Sequence, residues 1–110
     1  MKLDAYKQQL DDNYELWLKR AGYAMLNDRQ SGEISFARRL TRDFYPRFHI
    51  YVTESLDKNG RAIITLNLHL DQKKPGYEGQ ARHNAEYDGE VVEDEARRLS
   101  KFLLPVNPFI

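Results

Sequence analysis

Cysteine is absent from the 110-residue sequence, which excludes disulfides, thiol catalysis and thiolate zinc sites together. An excess of either charge is also absent. Seventeen basic and seventeen acidic residues cancel, so bulk charge recruits neither nucleic acid nor anionic lipid. No apolar run approaches the ~18 residues that suggest a membrane span. Met1-Lys2-Leu3-Asp4 does not begin a signal peptide, so a cytoplasmic protein with no membrane partner is expected. The sequence has no G-x-G-x-x-G fingerprint, P-loop or nucleophile elbow; Gly76 and Gly79 follow Pro75 as turn residues. Repeats, low-complexity stretches and Pro/Gly/Ser-rich linkers are lacking too, which leaves a single domain over residues 1–110.

What is present suits a modest globular core, with 41% hydrophobic and 31% charged residues. Charge is unevenly spread. Residues 29–82 are net +4 and residues 83–110 net −3, a pattern that two solvated faces explain.

Leu3, Tyr6, Leu10, Tyr14, Trp17, Leu18, Ala21 and Met25 recur at three- and four-residue steps, which predicts a helix over 3–27. Gly22 weakens its last turns. Residues 33–42 fit a strand through Ile34, Phe36 and Leu40 or a short helix, and the strand is preferred. Pro46 marks a boundary, because a proline biases the preceding Tyr45 away from helix.

Two segments alternate cleanly. Phe48, Ile50 and Val52 interleave with His49, Tyr51 and Thr53, while Ile64, Leu66, Leu68 and Leu70 interleave with Thr65, Asn67, His69 and Asp71. Asp57-Lys58-Asn59-Gly60 between them is a hairpin signal, since Asn and Gly accept positive φ. Directly opposed residues share a face, so the two apolar sets must face each other. A two-residue Asn59-Gly60 turn would oppose Ile50 to His69. A three-residue Lys58-Asn59-Gly60 loop instead pairs Asp57 with Arg61, Phe48 with Leu70, Ile50 with Leu68 and Val52 with Leu66. That register sets His49 opposite His69 and Arg47 opposite Asp71.

Residues 72–83 read as a loop. Asp88 is expected to cap a helix over 88–104, with Glu90 and Glu93 near its positive end and Arg97, Arg98 and Lys101 near its negative end. Pro105 and Pro108 end it, leaving residues 105–110 as an apolar tail. The expected fold is α+β: an N-terminal helix, a three-stranded antiparallel sheet and a C-terminal helix, with both helices on one sheet face. Trp17, Leu18, Phe48, Ile50, Leu66, Leu68, Leu99 and Phe102 are the expected core.

This α-β-β-β-α order resembles the double-stranded RNA-binding domain. The resemblance covers element order only. The basic cluster that opens the last helix of that family is replaced here by Asp88, Glu90, Glu93, Asp94 and Glu95.

The uncovered sheet face is the expected functional surface, carrying Arg47, His49, Tyr51, Asn67, His69 and Asp71. Its donors, acceptors and one aromatic ring suit a non-catalytic module for an unidentified protein partner, with no cofactor. Self-association through the 105–110 tail is a second mode of partnering. Single-stranded nucleic acid is an alternative ligand, using Arg47, His49 and Tyr51 beside Arg38, Arg39 and Arg42. A third alternative is a zinc or iron site on His49, His69 and Asp71 with His83 from the following loop, because imidazoles and a carboxylate are ligands those metals accept. Solvated sheet residues and a plain Arg47–Asp71 pair are the competing structural account.

Overall fold

The computed structural model describes residues 1–27, 31–72, 85–86 and 89–106. The chain is α+β, as expected, but it holds more strands than the sequence pattern suggested. In order it forms β1 (Lys2–Tyr6), a 3-10 turn (Lys7–Leu10), α1 (Tyr14–Arg20), β2 (Ala24–Asn27), β3 (Ile34–Arg39), β4 (Arg47–Leu56), β5 (Ala62–Asp71), β6 (Ala85–Glu86) and α2 (Glu90–Ser100). Among the described residues, five strands make an antiparallel sheet in the order β1-β5-β4-β3-β2, and the two-residue β6 also pairs with β5.

The expected helix over 3–27 is the largest correction. Most of its apolar residues do reach one core, but along three different elements; Tyr6 and Met25, the latter 54% exposed, lie outside it. Leu3 and Ala5 face inward from β1, opposite Leu66 and Ile64, and Leu10 follows from the 3-10 turn. Asp11 then adopts a left-handed conformation at φ 55° and breaks the run. Asn13 starts α1 afresh, its side chain accepting a hydrogen bond from the Leu16 amide at 2.9 Å, a cap that contributes about 1 kcal/mol. At the other end, the Tyr23 amide donates to the Leu18 carbonyl and the Gly22 amide to that of Lys19, with Gly22 at φ +100°. This paired pattern closes the helix and turns the chain into β2. The polar Asp11-Asp12-Asn13 run and Gly22 therefore outweigh the apparent periodicity.

β1 and β2 lie at opposite edges of the sheet, so the 3-10 turn and α1 carry the chain from one edge to the other. Trp17 and Leu18 from α1 and Val92 and Leu99 from α2 join Phe36, Phe48, Ile50, Ile64, Leu66, Leu68 and Leu70 in a single core. Both helices thus cover the sheet face that carries Ile50 and Leu68. The β4–β5 register matches the expectation pair by pair, including Ile50 with Leu68, His49 with His69 and Arg47 with Asp71. In the turn, Asp57 Oδ1 accepts from the amides of Asn59 and Arg61, and Gly60 sits at φ +80°. These bonds also lower the Asp57 pKa, the Arg61 amide contributing most.

The C-terminal helix is shorter than expected. α2 starts after Gly89, which makes no side-chain cap, and Asp88 lies outside the described residues. Three successive i to i−3 bonds, from the amides of Lys101, Phe102 and Leu103, tighten the chain beyond Ser100. Phe102 is consequently not core. It is 46% exposed and meets Trp17 edge-on at 6.4 Å. Leu104 exchanges hydrogen bonds with Gln9, while the end of the apolar tail, 107–110, lies outside the described residues. The observed element order also departs from that of the double-stranded RNA-binding domain, because strands precede and follow α1.

A polar knot ties α2 to the α1–β2 connection. Glu95 is buried, accepting from the Tyr23 hydroxyl at 2.5 Å and from Arg98 Nε at 2.6 Å. Arg98 also donates to the Ala21 carbonyl, and Arg38 from β3 approaches Glu95 at 3.6 Å. Burial first, then the neighbouring Glu95 carboxylate, drives the Tyr23 phenol far above its ordinary pKa. Among the described residues, no helix is long and apolar enough to cross a membrane.

Candidate functional site

The strand alternation that sends Phe48 and Ile50 to the core sends Arg47, His49 and Tyr51 to the other face. Asn67, His69 and Asp71 join them from β5, and Ser35, opposite Tyr51, comes from β3. The sequence predicts a face open to solvent. At its centre it is not: His49, His69, Asp71 and Ser35 are all buried, while Arg47, Tyr51 and Asn67 are half-buried.

Asp71 organises the cluster. Its Oδ1 lies 2.9 Å from His69 Nε2, and its Oδ2 lies 3.1 Å from His49 Nδ1 and 3.3 Å from Arg47 Nε. Burial by itself would raise the Asp71 pKa. Hydrogen bonds from both imidazoles and their electrostatic attraction outweigh it and hold the carboxyl well below the usual range. Tyr51 packs beside both rings, 4.6 Å from His49 and nearly parallel to His69 at 5.9 Å.

His49 has a second partner that the sequence did not single out. Its Nε2 lies 2.7 Å from Ser35 Oγ. The Asp71 carboxylate can only accept, so His49 Nδ1 carries a proton; Nε2 then accepts from the Ser35 hydroxyl in the neutral ring and donates to it in the imidazolium. Ser35, His49 and Asp71 thus have the contacts of a nucleophile, a base and an orienting carboxylate. Catalysis of acyl transfer also requires preorganised donors, backbone or side-chain, aimed at an oxyanion. Ser35 is paired with Leu26 on one side and Tyr51 on the other, which commits its strand to the sheet.

The two imidazoles and the carboxylate form a donor set of another kind. His49, His69 and Asp71 each offer one ligand atom, all within 4.8 Å of one another. Donors about 2.1 Å from a tetrahedral ion stand roughly 3.4 Å apart, so the 2.9 and 3.1 Å contacts to Asp71 would lengthen by a few tenths of an ångström to admit one. Arg47 is placed to hold the carboxylate from outside, as hydrogen-bond donors around metal ligands do.

Of the residues expected at the site, the sheet brings together Arg47, His49, Tyr51, His69 and Asp71. Asn67 spends its amide on the Tyr51 carbonyl at 3.1 Å. His83 lies outside the described residues. A cavity of about 310 Å³ adjoins the cluster, lined by Met1, Lys2, Tyr51, Asn67, Leu68 and His69. Comparison with protein-family models, curated proteins and solved structures finds no match for this chain.

Proposed function

We propose that the protein binds a divalent transition metal, zinc or iron(II), through His49 Nδ1, His69 Nε2 and the Asp71 carboxylate. The observation that carries this is the convergence of three different buried side chains within 4.8 Å. Exposed acidic groups gather on surfaces for many reasons; two imidazoles turned onto one buried carboxylate are a narrower arrangement. Three protein ligands leave at least one coordination position for water or a substrate oxygen, as in catalytic rather than structural zinc sites. The cavity beside His69 gives such a ligand room.

A metal on His49 Nδ1 would require the tautomer that carries the ring's one proton on Nε2, which would then donate to Ser35 Oγ. A hydroxyl serves either state, because it both donates and accepts. Recognition of a macromolecular partner across this face has less support, since its central residues are buried.

Metal analysis of purified protein tests the proposal. One zinc or iron per chain is expected, with less than a tenth as much in folded His69→Ala. Protein that remains metal-free after incubation with excess zinc or anaerobic iron(II) would overturn it.

A further inference from the structure

Arg39 and Arg47 are register partners on β3 and β4, so two guanidinium-bearing residues stand directly opposite each other on one face. Like charges in that position destabilise a sheet. Asp71 answers Arg47 only at Nε, and the same carboxylate also serves both histidines. Among the described residues, no carboxylate lies within ion-pair reach of Arg39 or of Arg42 in the connecting loop. Asp43, the loop's own acid, is in no ion pair among those residues.

Both guanidiniums are nevertheless held in place. The Arg39 guanidinium carbon lies 4.0 Å over the Phe44 ring, and that of Arg47 lies 4.7 Å over Tyr45. Phe44 is 63% exposed, so its ring and the guanidinium stacked on it lie at the surface. Arg39 also donates to the Arg42 carbonyl at 3.4 Å. The terminal nitrogens of Arg47 have no partner among the described residues. Arg39 is exposed and the side chain of Arg47 is 15% exposed; two planar forks stacked on rings suit bidentate contact with an oxyanion.

We propose that Arg39 and Arg47 form a subsite for a small oxyanion-bearing ligand, a carboxylate or a phosphate, at the end of the sheet beside the His49–His69–Asp71 cluster. This site does not require the metal. It reduces the repulsion between the two strands and places an anionic group next to the cluster, where the remainder of the ligand can approach.

The test titrates the metal-free full chain at low ionic strength with inorganic phosphate and, separately, with oxalate. Amide and arginine Nε–H resonances are followed by NMR. Saturable binding that shifts the Arg47 Nε–H resonance is expected for at least one anion, and the stronger of the two identifies the ligand class. Arg39→Gln should weaken it about tenfold or more, the scale of one lost charge-assisted contact. Arg47→Lys, which keeps the charge facing Asp71 but removes the fork, should weaken it as well. Arg20→Gln, at the exposed pair with Asp12, should leave it unchanged. Absence of saturation with both anions, or equal affinity in wild type, Arg39→Gln and Arg47→Lys, would overturn the subsite. Zinc uptake measured on the same samples keeps the two proposals separate. Phosphate or oxalate binding without zinc uptake removes the metal and supports the subsite.

Discussion

His49 Nδ1 and Asp71 Oδ2 stand 3.1 Å apart, although the two residues are not register partners. His49 lies opposite His69, and Asp71 lies opposite Arg47. The carboxylate is therefore a diagonal neighbour of one imidazole and a same-strand neighbour of the other, two residues along. One side chain meets three bases because a pleated pair offers those three directions at once. Asp71→Asn keeps the shape but loses the charge and one acceptor oxygen. It should lower unfolding stability by roughly 1–3 kcal/mol. It should also abolish the rise in Tm that zinc gives wild type by mass action, which paired thermal melts with and without zinc would check.

Ser35 Oγ both donates and accepts, so it would serve either tautomer of His49. In Ser35→Ala, the buried Nε2 has nothing to replace the hydroxyl. Metal affinity should fall about 10- to 100-fold, the usual cost of losing an outer hydrogen bond to a ligating histidine. Ser35→Thr keeps a hydroxyl and should retain most of the affinity. Competition with a chelating dye measures both. Equal affinities in wild type and Ser35→Ala would show that the 2.7 Å contact plays no part in metal binding.

The Tyr23–Glu95 bond makes a prediction in alkali. Burial and then the Glu95 carboxylate raise the folded-state Tyr23 pKa above its unfolded value. The resulting stabilisation is fully present below about pH 10, the pKa of a free tyrosine, and is lost progressively at higher pH. Urea denaturation should show stability falling from pH 9 to pH 11. Tyr23→Phe should flatten that fall while costing about 1.5–3 kcal/mol at pH 7, the range for a hydrogen bond to a charged group. An unchanged alkaline slope in Tyr23→Phe would contradict this.

Gly22 ends α1 at φ +100°, and a Cβ there would stand 3.4 Å from Arg38 Cδ and Nε. Gly22→Ala should cost about 1–2 kcal/mol for the left-handed backbone, seen as a lower midpoint in thermal or urea unfolding. Gly60→Ala has comparable backbone strain but open space around it, so its cost should be no greater.

The hairpin and its site were legible because two simple constraints coincide. Gly60 permits a three-residue loop, and only that loop sets Ile50 on Leu68; His49, His69 and Asp71 then share a face without further assumption. The N-terminal quarter was not legible. Leu3, Tyr6, Leu10, Tyr14 and Trp17 mimic a helical stripe, and the local signals at Asp11, Asn13 and Gly22 carry less weight in a periodicity count than they do in the chain. Ser35 was missed for a related reason. The 40–46 connection contains no turn signature that fixes how β3 registers against β4, so its approach to His49 could not be counted out as the hairpin's was. The sequence places Glu95 in the acidic run that opens the last helix, with no sign that it is buried. Its burial depends on Tyr23, which follows the Gly22 turn that the helical reading passed over.

The most direct measurement is anomalous diffraction at the zinc absorption edge from crystals grown with zinc. The account predicts one strong peak per chain within about 2.0–2.2 Å of His49 Nδ1, His69 Nε2 and an Asp71 oxygen. Density without a peak there, with His49 and His69 still hydrogen-bonded to Asp71 at 3.1 and 2.9 Å, would contradict it.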